Sequence, residues 1–196
     1  MRPSCLAFVA CWLAVGCGGE TGAPAPTSDP IVSYKDAAAE QVSKEREEAI
    51  ALTKEILKID IPPRFEPHST MHIVGDQVNY FGKDGGMLVI MRASGHMASD
   101  DESAQRMAKS FAGAVPDEID DEDVKESSSS TKFFTIGGKP CEFQFRELSS
   151  VTSDSKSIFV GGAFKNAAGR WVGLNIVLSA NEYDESEIDA MIRSIE

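Results

Sequence analysis

The sequence predicts an α+β domain: one antiparallel β-sheet flanked by helices and preceded by an amphipathic N-terminal helix. Three observations carry this expectation. Short apolar runs from Thr70 to Ser94 and from Thr131 to Ser179 are divided by Gly-Asp, Gly-Gly and Asn-to-Gly turn signals rather than by crossover helices. Three segments free of internal Pro carry apolar residues at three- and four-residue spacing. These alternate in the order helix, three strands, helix, four strands, helix, which favours sequential antiparallel pairing.

The first helix is expected over residues 34–59, with Ser33 as N-cap and a stripe of Ala38, Val42, Ala49, Leu52, Ile56 and Ile59 broken by Glu45. Pro62 and Pro63 end it. The segment "TMHIVGDQVNYFGKDGGMLVIMRAS" then reads as a three-stranded meander. In "SDDE", Ser99 as N-cap with Glu102 three residues on forms a capping box and announces a second helix, for which Met107, Phe111 and Ala114 are the expected inward face. It should stop before Pro116.

After the acidic stretch "DEIDDED" (117–123), "TKFFTIGGKPCEFQFREL" is a hairpin turning at Gly137 and Gly138. "SIFVGGAFKNAAGRWVGLNIVLS" is a second, turning near Asn166 to Gly169. Val172, Leu174, Ile176 and Leu178 share one face of its second arm, while the first arm is apolar on both sides, so helices should cover both faces of this part of the sheet. The last helix runs from Asp184 to Ile195, with Asp184 as N-cap, Glu187 completing a capping box, and Ile188, Met191, Ile192 and Ile195 as its buried stripe.

Upstream of the domain, Cys5 to Gly16 is apolar or small and follows a single positive charge, Arg2. As a helix this stretch reaches roughly 18 Å, short of the ~30 Å hydrocarbon core, so residues 1–16 read as a signal peptide and not as a membrane span. "AVGC" (Ala14 to Cys17) resembles a bacterial lipobox, with the departure that Leu13 lies one residue further out than the pattern prefers. The resemblance implies that Cys17 is lipidated and becomes the first residue of the mature chain. Two or three acyl chains give stable anchoring where one does not. Residues 17–33 are then the lipidated start and a flexible linker of Gly, Pro and small polar residues, spanning up to about 45 Å when extended, and 60–196 is the α+β domain.

Composition bounds the partners. The formal net charge of −12 disfavours nucleic acid and anionic lipid surfaces as ligands. With Cys5 and Cys11 in the leader and Cys17 lipidated, Cys141 is the only thiol left, which excludes an intramolecular disulfide. Alternation in "CEFQFREL" places Cys141 on an apolar strand face, as a packed thiol rather than a nucleophile. The acidic stretch lacks the alternating ligands, central Gly and terminal Glu of a calcium loop. "GKDGG" and "VGG" are too short to cradle phosphate, and no serine sits on a strand-to-helix turn, so no catalytic residue, cofactor or enzymatic activity is expected.

The order of elements, together with "IGGKPCEFQF", "SIFVGGAF" and "GRWVGLNIVLSANEYDESEIDAMIRSI", resembles the PsbP-like superfamily over Pro62 to the end of the chain. That resemblance implies a layered sheet-and-helix sandwich, often non-enzymatic and bound to a larger assembly, and it carries over no catalytic or binding motif. The expected function is therefore a lipid-anchored cell-envelope interaction or structural domain. Its partners would be a membrane, through the lipid, and an envelope protein complex, with the outer membrane or periplasmic face favoured by Gly18 after Cys17. The rival reading is an envelope copper or zinc protein using His68, His72 and His96 with Met71 and Met97.

Overall fold

In the computed structural model the described residues are 30–73, 75–95, 98–114, 124–150 and 155–196. The elements are α1 (Pro30–Ile56), β1 (Phe65–Met71), β2 (Gly75–Gly82), β3 (Met87–Ala93), α2 (Asp101–Gly113), β4 (Val124–Ile136), β5 (Lys139–Ser150), β6 (Lys156–Lys165), β7 (Trp171–Ser179) and α3 (Glu185–Arg193). The strands form one seven-stranded sheet in the order β1-β2-β3-β7-β6-β5-β4, with every neighbouring pair antiparallel. The sheet is therefore two blocks, β1–β3 and β4–β7, joined along β3 and β7. α1 starts at Pro30, so Ser33, expected as its N-cap, lies within the helix, and it ends at Ile56, ahead of Pro62 and Pro63. The expected signal peptide, Cys17 and residues 18–29 of the expected linker lie outside the described residues, as does "DEIDDED". No helix among the described residues is long and apolar enough to cross a membrane.

Strand alternation decides what each face buries. Val78, Tyr80, Leu88, Ile90, Val160, Phe143, Leu174 and Ile176 point to one face and form the main core with Ala49 and Ile56 of α1 and Ile188, Met191, Ile192 and Ile195 at the chain's end. The stripe anticipated on the first helix meets this core only at Ala49, Leu52, Ile56 and, beyond the helix, Ile59. Val42 stays half exposed, and residues 36–44 lie at the surface throughout. On α3, Asp184 caps as anticipated, accepting from the Ser186 and Glu187 backbone N–H groups. The Glu187 side chain turns away to Arg64, 2.8 Å distant.

The opposite face belongs to α2, and two local expectations for this helix are corrected. Asp100, not Ser99, is the N-cap: its Oδ1 accepts from Ser103 N at 2.7 Å, and the Ser103 hydroxyl accepts from Asp100 N at 3.2 Å. An ionised carboxylate is the stronger acceptor for an orphan N–H, and these hydrogen bonds hold the Asp100 carboxyl below its ordinary range. The buried residues of α2 are Ala108 and Ala112, with Met107 and Phe111 only half buried and Ala114 exposed. Small residues face the sheet because the helix backbone comes down onto bare glycines, with Gly161 below the Ala112 carbonyl and Gly173 below that of Ala108. Arg146 donates to the Gly113 carbonyl at 2.8 Å, placing a cation at the negative end of α2.

One buried polar side chain joins distant elements. Asn166, in the β6–β7 turn, donates from Nδ2 to the carbonyl of Ile56, the last residue of α1, at 2.5 Å, while its Oδ1 accepts from Arg170 N at 2.9 Å. The carbonyl at a helix end has no intrahelical partner and needs such a donor when it is buried. Asn166→Ala should cost about 1–3 kcal/mol, and Asn166→Asp more, because a carboxylate would face that carbonyl. Urea unfolding midpoints would show this, and an unchanged midpoint for both variants would remove the role assigned to Asn166.

Candidate functional site

The sheet is not hydrogen-bonded along its whole length. The β5–β6 ladder runs from Ser149↔Lys156 to Phe143↔Gly162 and ends there. The β4–β5 ladder continues to Ile136↔Lys139, and the β6–β7 ladder to Lys165↔Trp171. Residues 139–142 of β5 and 163–165 of β6 therefore face one another without pairing, and the two arms of the sheet part. Pro140 helps to end the ladder. It stands opposite Thr135, next to the Ile136↔Lys139 pair that closes the two-residue turn, so alternation aims its nitrogen towards β6. That nitrogen has no hydrogen to donate.

A cavity of about 630 Å³ fills this opening, within the size range of small-molecule sites. All seven unpaired residues line it, and the side of α2 closes it with Gln105, Lys109, Ala112 and Gly113. The floor is low because Gly161 and Gly162 have no side chains there. A Cβ on Gly162 would strike the Phe143 ring at 2.4 Å, so the glycine also allows that ring its place in the core. Apolar surface comes from Pro140, Ala163 and Trp171, with the buried Ile136 and Phe164 behind them. The Trp171 indole N–H is buried without a hydrogen-bond partner among the described residues, which is costly unless something else accepts from it.

Charge around the cleft runs against the charge of the chain. Three lysines, Lys109, Lys139 and Lys165, line it, against one carboxylate, Glu142. Lys165 is held by Asp101 at 2.6 Å and lies 5.3 Å from the Trp171 ring centre. Lys109 and Lys139 make no ion pair among the described residues. Cys141 lines the same wall with its Sγ 3.6 Å from the Lys139 carbonyl. Burial pushes its thiol up, against smaller opposing effects from Ile136 and Lys139, so it is protonated at neutral pH and a poor nucleophile. His68 is on β1, five strand spacings from β5, or about 24 Å by sheet geometry alone, so it offers Cys141 no base.

The histidines anticipated as metal donors have other company. The His68 ring meets Phe81 edge-on at 4.7 Å. His72 Nδ1 lies 2.9 Å from Asp76 Oδ1, and Asp76 in turn accepts from Arg92 Nε and Nη2 at 3.0 and 2.7 Å. Arg92 Nη1 reaches Glu55 on α1 at 2.8 Å, which completes a Glu55–Arg92–Asp76–His72 chain. Among the described residues no three His, Cys, Asp or Glu side chains gather in a way that would hold a metal ion. His96 and Met97 lie outside the described residues, and Met71 is exposed at the end of β1. No protein-family model matches the chain, and no curated protein matches it either.

Proposed function

We propose that this chain is a lipid-anchored cell-envelope binding domain, fixed to a membrane through Cys17 and without catalytic activity of its own. The observation that carries the anchor is the "AVGC" ending of an apolar leader, followed directly by a linker rich in Gly and Pro. A ligand-sized cleft supports binding as the domain's task, because its polar groups are set to hold a ligand. They comprise the amines of Lys109, Lys139 and Lys165, the amides of Gln105 and Gln144, the Glu142 carboxylate and a protonated thiol, with no histidine among them. The PsbP-like resemblance of the second half agrees with a non-enzymatic role beside a larger assembly. In this reading the exposed part of α1 is a spacer. The surface residues 36–44 would set the domain about 14 Å beyond the end of the linker.

The anchor has a direct test. Expressed in a bacterium with its leader intact, the chain should sediment with membranes, and its N-terminal peptide should carry the mass of a diacylglyceryl-modified cysteine. Cys17→Ser should release it into the soluble fraction. Membrane association that survives Cys17→Ser, or an unmodified Cys17 thiol in the native chain, would overturn the anchoring.

A further inference from the structure

We infer that the cleft between β5 and β6 takes a small amphipathic carboxylate, a molecule with an apolar body and one anionic end. This rests on the reading of the cleft as the domain's binding site and adds the class of ligand. Three features of the opening point the same way. Its size suits a small molecule rather than a folded partner. Pro140, Ala163 and the Trp171 ring offer an apolar wall. Lys109 and Lys139 place two ammonium groups on the lining without a carboxylate to neutralise them, in a chain whose formal net charge is −12.

The sign of the local charge discriminates between ligand classes. A cationic amphiphile would meet two amines and gain only Glu142, while a neutral one would leave both amines without a counter-charge. A carboxylate gives one of these amines its counter-charge, and a hydrogen bond between two charged groups is the stronger kind. Phosphate alone would use the amines and waste the apolar wall. The ligand's body would lie along the face of α2, between Lys109 and the β5 edge.

The test uses the full chain in a non-ionic detergent with Trp12→Phe, which leaves Trp171 as the only tryptophan. Its fluorescence is titrated with three isosteric probes: 4-phenylbutanoate, 4-phenylbutanamide and 4-phenylbutylammonium. The carboxylate should produce a saturable change and bind about tenfold or more tightly than the amide, the size expected for one hydrogen bond to a charged group. Lys109→Gln with Lys139→Gln should abolish that preference while leaving amide binding and the urea midpoint unchanged. Because both chains are titrated in the same micelles, partition of the probe into detergent cancels. Equal affinity for carboxylate and amide, or a preference that survives both substitutions, would overturn the ligand class and leave the cleft standing. Saturable binding that persists unchanged in Ala163→Phe, which fills the opening without adding a second tryptophan, would overturn the cleft itself, as would no saturable response to any probe.

Discussion

Gly161→Ala should unfold at a lower temperature than the native chain by roughly 6–12 °C, the shift that about 3 kcal/mol produces in a chain of this length. The reason is a collision of backbones. A Cβ built on Gly161 would lie 1.8 Å from the Ala112 carbonyl oxygen, closer than any non-bonded contact allows, and the obstacle is a helix and not the flexible tip of a side chain. The last turn of α2 would have to lift. Lifting it weakens the seat of Ala112 and the Arg146 bond to the Gly113 carbonyl, and it widens the cleft that α2 closes. Gly113→Ala is the matched control, because no atom lies within 4 Å of its Cβ and its φ is not positive. It should change stability by less than about 1 kcal/mol. Thermal unfolding followed by circular dichroism decides the matter, and equal shifts in the two variants would remove the close approach as the cause.

The same contact shows what a sequence exhibits and what it conceals. The order of elements was legible because local chemistry dictates it. Gly137 and Gly138 both take positive φ in the β4–β5 turn, Asn166 to Gly169 turns β6 into β7, and Asp184 caps α3. Alternation along Val172, Leu174, Ile176 and Leu178 likewise fixed the core face of β7. The seating of α2 was not legible. A periodicity reading weights Met107 and Phe111 over Ala108 and Ala112, whereas the real face is chosen by glycines about fifty to sixty-five residues further on. Only the pairing of a small-residue helix face with a strand reading "VGGAF" hints at it.

The cleft was hidden for a related reason. "GGKPCEF" and "VGGAF" were legible as strands, but where two strands stop pairing depends on both at once. The one local sign was Pro140, a residue that cannot donate to a ladder, inside an otherwise good strand. The Glu55–Arg92–Asp76–His72 chain was also invisible, since its members lie on three different stretches of sequence. Arg92 at the end of "MLVIMR" was its only signal, a cation closing a run that is otherwise buried.

That arginine carries the second large effect. Arg92→Met should destabilise the chain by about 2–3 kcal/mol, somewhat less than for a fully buried pair because Glu55 remains largely in water. The loss comes from what stays behind: Asp76, only 21% exposed, would keep its charge with no guanidinium to meet it. In the native chain burial works to raise the Asp76 carboxyl, but hydrogen bonds from Arg92 and His72 and the Arg92 charge outweigh it, holding the group below its ordinary value of 3.8. A carboxyl depressed on folding stabilises the fold above its unfolded value and ceases to do so as pH falls through the lower folded value. The free-energy difference between the native chain and Asp76→Asn should therefore narrow as pH falls below 3.8, and level off once both states are protonated. Taking that difference cancels the caps Asp100 and Asp184, whose carboxyls are also depressed and titrate in the same range. Urea titrations at stepped pH measure it. A difference that stays flat from pH 7 through the acid range would mean that the charge of Asp76 contributes nothing and that Arg92 is held by packing alone.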